Sequence, residues 1–219
     1  MTLTVIILLL IISYLIGSIP GGYLLTKLVK NDDIRNYGSK STGATNTSRV
    51  LGFKLGALAA LIDILKGIVV ISILLIFKFE NYYLITLNNK EFDIIGLYAL
   101  FAVIGHIYPI YLNFRGGKAV ATSFGIVFLF TPILSIIGIF VFLLIFRLTR
   151  TVSLCSMLSA AFIVFLNLIF YLLKINFMAV KSVELVILYF ILLIIIVIRH
   201  IPNIKRMIKH EEPKYYITK

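Results

Sequence analysis

Six apolar runs, at about residues 3–26, 53–77, 93–114, 119–146, 152–173 and 183–199, constrain this 219-residue chain more than any other feature. A helix needs roughly 20 consecutive apolar residues to cross a hydrocarbon core about 30 Å thick, and backbone in lipid has to satisfy its hydrogen bonds within the segment. Most of the runs have that length. With 61% hydrophobic and 14% charged residues and a mean hydropathy of +1.07, the chain carries more apolar surface than a soluble core of this size buries. The expected fold class is all-α, a polytopic integral membrane protein in which residues 1–219 form a single transmembrane domain.

The fourth run is too long for one simple span, because its residues would reach about 42 Å as a helix. Thr131 and Pro132 lie near its middle, where a proline ends one helix and opens the next. A single crossing would leave Arg147, Arg150 and the tail with Arg199, Lys205, Arg206 and Lys209 outside. A turn at Thr131–Pro132 brings both basic groups inside and leaves the more mixed loops 78–92 and 174–182 outside, as the cytoplasmic bias of Lys and Arg requires. The reading is seven transmembrane helices, two of them short (about 119–131 and 132–146), with the N-terminus outside and the C-terminus cytoplasmic; one long tilted helix is the alternative. Residues 1–16 carry no charged side chain and no small-x-small cleavage site, and Lys27, Lys30 and Arg35 follow, the order of an uncleaved first span.

The same bias accounts for the formal charge of +12, so no nucleic-acid partner is expected. The one cysteine, Cys155, has no disulfide partner and no metal-ligand neighbours; neither a disulfide nor a metal is expected.

Four polar segments, 27–52, 115–118, 147–153 and 199–219, then face the cytoplasm and could converge on one site. The first contains IRNYGSKSTGATNTSRVLG (34–52), rich in small hydroxyl and amide donors suited to phosphate oxygens, with Arg49 as a guanidinium fork. An ordinary cytoplasmic loop has much the same composition. The second sets Gly116, Gly117 and Lys118 at the expected start of a helix, where backbone N–H groups, the helix dipole and an ammonium would address one anion. Arg115 and Lys118 would equally serve as topology anchors. The spacing of a Walker loop or of a dinucleotide fingerprint is absent. In the last, His200 and Asn203 stand three residues apart, with Pro202 between them. At the third, TRTVSLCS (149–156) adds Arg150, Ser153 and Ser156 at the inner end of a span. Asp63 and Lys66, inside a span, are costly there unless they pair, and their i, i+3 spacing lets them pair with each other.

Taken in order, GSIP (17–20), G-S-x-x-x-G-A-T-N-x-x-R (38–49), D-x-x-K-G (63–67), G-H-x-x-P-x-x-x-x-F-x-G-G-K-x-V-A-T (105–122), T-R-x-x-S-L-x-S (149–156) and R-H-x-x-N-I-x-R (199–206) resemble the acyl-phosphate-dependent glycerol-3-phosphate acyltransferases of bacteria, the PlsY family. The resemblance covers nearly the whole chain. It implies a seven-helix enzyme of the inner membrane, active at the cytoplasmic face, with no cofactor. That enzyme passes a fatty acyl group from acyl phosphate to the 1-hydroxyl of sn-glycerol 3-phosphate, giving lysophosphatidate and inorganic phosphate, with membrane lipid around it. Carried over by position, it implies catalytic roles for Arg49, Lys118, His200 and Asn203. It implies substrate or phosphate binding by Ser39, Thr45, Asn46, Gly116, Gly117, Ser153 and Ser156. Lys40 and Ser41 stand where the family usually has Gly and Asn, Ala119 replaces a common Gly, Cys155 takes a position often held by Ser, and Ile201–Pro202 is less polar than usual.

Acyl transfer needs the hydroxyl to lose a proton and the developing oxyanion to be stabilised. The H-x-x-x-x-D pair of other glycerolipid acyltransferases is excluded, since none of His106, His200 and His210 has Asp five residues on. His200 as base, or a substrate phosphate with its second pKa near 6, both remain. A small anion transporter would use similar basic residues, but the chain shows no internal repeat of the kind such folds carry.

Overall fold

The computed structural model describes residues 2–77, 79, 84–87, 90–175 and 177–216. Part of each loop read as external, 78–92 and 174–182, therefore lies outside the described residues. The chain divides into two compact units, residues 1–129 and 130–219.

In the first unit, α1 (Thr2–Ser18) and α2 (Gly21–Lys30) meet at a 40° bend, so the first apolar run is not one straight helix. Pro20 at the junction lacks an N–H and cannot continue the ladder. A short helix, α3 (Ala44–Leu51), leads through Gly52 into the long α4 (Phe53–Ile76), whose 24 residues reach about 36 Å. A hairpin of β1 (Leu84–Leu87) and β2 (Lys90–Asp93), antiparallel with Leu84 opposite Asp93, precedes α5 (Ile95–Ile107). One 3-10 turn, Ile110–Leu112, and the stretch to Ala119 then lead into α6 (Val120–Phe130).

Small residues let these helices approach closely, as they do where lipid offers no hydrophobic drive for association. A Cβ on Gly17 of α1 would lie 2.1 Å from the carbonyl oxygen of Ala102 on α5, and one on Gly105 would lie 2.2 Å from that of Tyr14. Tyr14 Oη donates to the carbonyl of Tyr108 at 2.8 Å, fastening the ends of the two helices. In the same way α4 meets α6 through Gly67 and Gly125.

The helix break expected at Thr131–Pro132 is present: α6 ends at Phe130, and Pro132 opens α7 (Pro132–Thr149). At 18 residues α7 runs past the expected end near 146 and is long enough to span, while α6 has only 11. The second unit continues with α8 (Val152–Leu172), α9 (Val183–Arg199) and α10 (Ile201–Ile208). Thr131 Oγ1 and Tyr189 Oη, both buried, lie 2.7 Å apart and join the start of α7 to α9. Gly138 seats α7 against Ile163 of α8. Large side chains on α7 stay uncovered by protein, Phe140 at 68% and Leu148 at 76% exposure, which suits a lipid-facing surface and not a watery one. Among the described residues four helices are long and apolar enough to cross a membrane, six if each bent pair counts as one span, and α6 is a shorter apolar helix beside them. The protein is a multi-pass membrane protein whose described residues are helical apart from short turns, loops and one hairpin.

Candidate active site

In the first unit the polar loop before α3 is wound round one side chain. Asn46, 1% exposed, donates from Nδ2 toward the carbonyls of Ser41 (2.9 Å), Tyr37 (3.0 Å) and Ile34 (3.3 Å), while its Oδ1 accepts the Ser39 N–H at 3.0 Å. Expected to bind substrate, its amide is committed to the loop, and it shapes the surface that carries exposed Ser39, half-buried Thr45 and exposed Arg49. Arg35 ties this loop to the next motif: it pairs with Asp33 at 2.6 Å, and its Nη1 donates to the carbonyl of Leu112 at 2.7 Å. The Arg35 hydrogen bonds hold the Asp33 carboxyl below its ordinary range despite partial burial.

The glycine pair has a reason that its spacing does not reveal. Gly116 N–H donates to the carbonyl of Ile107 at 3.0 Å and Gly117 N–H to that of His106 at 3.1 Å, so the turn is stitched onto the end of α5. These two amides face the chain's own carbonyls. A Cβ at Gly116 would lie 2.1 Å from the His106 carbonyl oxygen, and one at Gly117 would lie 2.1 Å from His106 Nε2. Glycine is required because the backbone lies against α5. At this point stand Lys118, half-buried, and the first turn of α6, whose leading amides have no intrahelical acceptor. On that turn Thr122 Oγ1 and Ser123 Oγ are buried and have no hydrogen-bond partner among the described residues. A buried hydroxyl without a partner costs about 1–3 kcal/mol, so this pair marks a place built for another polar group.

In the second unit α9 and α10 meet at a 53° bend on His200. Pro202, in the first turn of α10, forces the break. His200 and Asn203 are both buried, 3% and 4% exposed. His200 Nδ1 lies 2.8 Å from the Ile196 carbonyl oxygen. A carbonyl only accepts, so Nδ1 carries the proton and Nε2 holds the lone pair of the neutral ring. Asn203 Nδ2 donates to Glu212 Oε1 at 2.6 Å, Ser153 Oγ donates to the same oxygen at 2.8 Å, and Arg206 Nε donates to Oε2 at 2.7 Å. Burial pushes the Glu212 carboxyl up, but these hydrogen bonds from Asn203, Ser153 and Arg206 outweigh it and hold it below its ordinary value. Ser156 Oγ donates to the Val152 carbonyl at 2.9 Å. Both serines thus give their protons to protein acceptors: Ser153 fastens the tail, and Ser156 bonds back to the carbonyl one turn earlier in its own helix.

Residues 7–210 match the family model described as glycerol-3-phosphate acyltransferase. The chain is also 40% identical over 213 residues to the glycerol-3-phosphate acyltransferase of Macrococcus caseolyticus (strain JCSC5402), covering 97% of this chain and 98% of that one. The chain belongs to the glycerol-3-phosphate acyltransferase family. The glycerol-3-phosphate acyltransferase of Staphylococcus aureus (strain Newman) is 40% identical over 209 residues, 95% of this chain and 97% of its own. Two solved structures share the fold of this acyltransferase. The crystal structure of PlsY, an integral membrane glycerol 3-phosphate acyltransferase, in its glycerol 3-phosphate form aligns with a TM-score of 0.80 at 31% identity over 96% of each chain. Its lysophosphatidic acid form aligns with a TM-score of 0.78 at 29% identity, over 97% of this chain and 96% of that one.

Sequence reasoning missed two parts of this acyltransferase. Glu212 stands at the end of the basic tail, but its three partners come from α8 (Ser153) and α10 (Asn203 and Arg206), and no spacing announces them. His106 enters the sequence reading only as a histidine without Asp five residues on; the G-H pair opening its motif is the available signal. The Asp63–Lys66 pair expected from spacing is present at 2.7 Å.

Proposed function

We propose that this acyltransferase moves a fatty acyl group from acyl phosphate to the 1-hydroxyl of sn-glycerol 3-phosphate, releasing lysophosphatidate and inorganic phosphate. The whole chain would act as one transmembrane domain of seven crossings in a bacterial inner membrane, N-terminus outside and chemistry at the cytoplasmic face. Family membership over residues 7–210 and the glycerol 3-phosphate and lysophosphatidic acid forms of the solved relative support the acceptor and the product. What carries the phosphate reading is Lys118 at the head of α6, followed by the two buried, unpartnered hydroxyls of Thr122 and Ser123.

In this reading Lys118, Thr122, Ser123 and the first-turn amides of α6 hold a phosphate, and Arg49, Ser39 and Thr45 grip the other phosphate substrate. The Nε2 lone pair of His200 orients the glycerol hydroxyl. Its oxygen attacks the acyl carbonyl carbon, the bond from that carbon to the phosphate oxygen breaks with both electrons leaving on phosphate, and the hydroxyl proton ends on the departing phosphate. A phosphate with a second pKa near 6 accepts a proton readily at neutral pH. Asn203, oriented by Glu212, is assigned a polar contact with the substrate in this reading.

The test is turnover by the purified protein in detergent. Lysophosphatidate should form from acyl phosphate and not from acyl-coenzyme A, and inorganic phosphate should compete with the acyl phosphate. Lys118→Ala should lower kcat/KM about tenfold or more, the equivalent of about 1.4 kcal/mol, and weaken phosphate inhibition. Equal turnover with acyl-coenzyme A would refute the donor, and full activity in Lys118→Ala would refute the site.

A further inference from the structure

Three ionisable groups in the first unit do no work in the mechanism above, although all are buried where charge is costly: Asp63 (2% exposed) and Lys66 (4%) on α4, and His106 (5%) near the end of α5. Lys66 Nζ lies 2.7 Å from Asp63 Oδ1, 2.8 Å from the Ile19 carbonyl oxygen and 3.0 Å from His106 Nδ1. An ammonium has three N–H groups and no lone pair, and here it bonds to the Ile19 carbonyl and His106 Nδ1 and forms an ion pair with Asp63. The Ile19 carbonyl belongs to the bend between α1 and α2, where Pro20 leaves the helix ladder interrupted. Lys66 therefore joins the broken first helix, its own carboxylate and the His106 ring, and the ring cannot turn without breaking that bond.

The far edge of the same ring is the surface on which Gly117 rests. A Cβ there would lie 2.1 Å from Nε2 and 2.8 Å from Cε1. The His106 carbonyl also accepts the Gly117 N–H. On the other side of Lys118, the residue after Lys66 meets α6: a Cβ on Gly67 would lie 2.4 Å from the Thr122 carbonyl oxygen, and one on Gly125 would lie 2.1 Å from that of Ile64. One stretch of α4, residues 63–67, thus governs the backbone on both sides of Lys118, through His106 before it and by direct contact after it.

We propose that His106, fixed by Lys66 and Asp63, is a positioning residue that sets where Lys118 presents its ammonium to phosphate. The inference rests on the phosphate reading of Lys118. It accounts for a buried charge cluster, which a stabilising apolar trio would replace at no loss if packing were its only use. It also accounts for the glycine at 117, which seats the turn on the ring.

The test uses the full-length protein in detergent, with KM for acyl phosphate and inhibition by inorganic phosphate as readouts. His106→Asn keeps a polar atom near the Nδ1 position for Lys66 and removes the ring edge under Gly117. It should raise KM and the inhibition constant for phosphate about tenfold while kcat changes less than about threefold. Gly117→Ala should cost about a hundredfold in kcat/KM alone, and about threefold or less when added to His106→Asn, because the space its methyl needs has been vacated. In a Lys118→Ala background, His106→Asn should add no more than about twofold to the loss of phosphate inhibition, since its effect passes through the missing lysine. If the His106→Asn and Lys118→Ala losses multiply in full, the positioning role is overturned while the phosphate reading stands. If Lys118→Ala alone leaves KM and phosphate inhibition unchanged, the phosphate reading and the inference fall together. Asp63→Asn, one step further back, should raise KM in the same direction and be equally silent in the Lys118→Ala background; should His106→Asn fail to accumulate in the membrane, a full multiplication there overturns the proposal as well.

Discussion

Removing the carboxylate of Glu212 is the perturbation whose size follows most directly from the geometry. Its side chain is 7% exposed and accepts three hydrogen bonds, from Ser153, Asn203 and Arg206. A hydrogen bond to a charged group contributes about 1.5–3 kcal/mol, and the sum of three overshoots because they share one acceptor group. Breaking a buried ion pair costs about 3–5 kcal/mol; Arg206 keeps 35% of its side chain in contact with solvent, so the lower end applies. Glu212→Ala should therefore cost about 3 kcal/mol. For a chain of this size that is about 6–12 °C in Tm. Glu212→Gln retains an acceptor for Ser153 and Asn203 but turns a donor toward Arg206, and should cost about half as much. Because Asn203 loses its anchor, kcat should fall about tenfold or more in the alanine variant. The pH dependence has a fixed sign. A carboxylate held below its ordinary value of 4.5 contributes stability that is fully present above that value and is lost as pH falls through the lower, folded value. The Tm advantage of the parent over Glu212→Gln should be level from neutral pH down to about 4.5 and shrink below it. Thermal unfolding in detergent across pH 3–8, with initial rates at neutral pH, reads all three quantities. An alanine variant that melts within about 2 °C of the parent and turns over normally would refute the reasoning.

Lys40 is exposed and sits at φ +56°, in the left-handed region that disfavours a Cβ by about 1–2 kcal/mol; Lys40→Gly returns that strain less about 0.4–1 kcal/mol of added unfolded-chain freedom, so Tm should rise by about 1–4 °C. Ala119→Gly, at φ +63° but 1% exposed, also gives up a buried methyl worth about 0.8 kcal/mol and should be close to neutral, and a fall in Tm for Lys40→Gly would contradict the strain argument. With Cys155→Ser as background, Lys181→Cys should react with an impermeant external thiol reagent in intact cells while Lys118→Cys and Lys209→Cys stay protected; labelling at Lys209 from outside would end the seven-crossing topology. Arg35→Ala removes the link from the Asp33 loop to the Leu112 carbonyl and should raise KM for glycerol 3-phosphate about tenfold with expression unchanged, as steady-state kinetics would reveal.

Length and charge carried much of the fold, because both are local to the sequence. An apolar run of 20 residues in lipid has one way to satisfy its backbone, and a proline in the middle of a longer run has to end a helix; α6 and α7 divide at Thr131 for that reason. The bend at Ile19–Pro20 was equally local, yet the run 3–26 was read as one span, since a proline near the end of a run leaves the hydropathy uninterrupted. The i, i+3 pair of Asp63 and Lys66 was legible because helix geometry brings those positions together whatever else the chain does.

What escaped was set by partners distant in sequence. Spacing identified the glycines before Lys118 but attributed their bare backbone to an approaching phosphate. The atom that a Cβ would strike is the imidazole of His106, 11 positions upstream of Gly117 and delivered by the turn that folds residues 113–117 back onto α5. Asn46 and Ser153 are ligands by what the resemblance implies, and in the fold their donors are committed to the loop carbonyls and to Glu212. Polar atoms inside a membrane protein face a stricter account than those of a soluble loop, because an unmet donor has no water to fall back on. A donor-rich motif is therefore consumed first by its own fold. The groups that remain for a ligand are those the fold leaves unmet; in the first unit the buried hydroxyls of Thr122 and Ser123 meet that test, as does Asp63 Oδ1, whose ion pair with Lys66 already accounts for it.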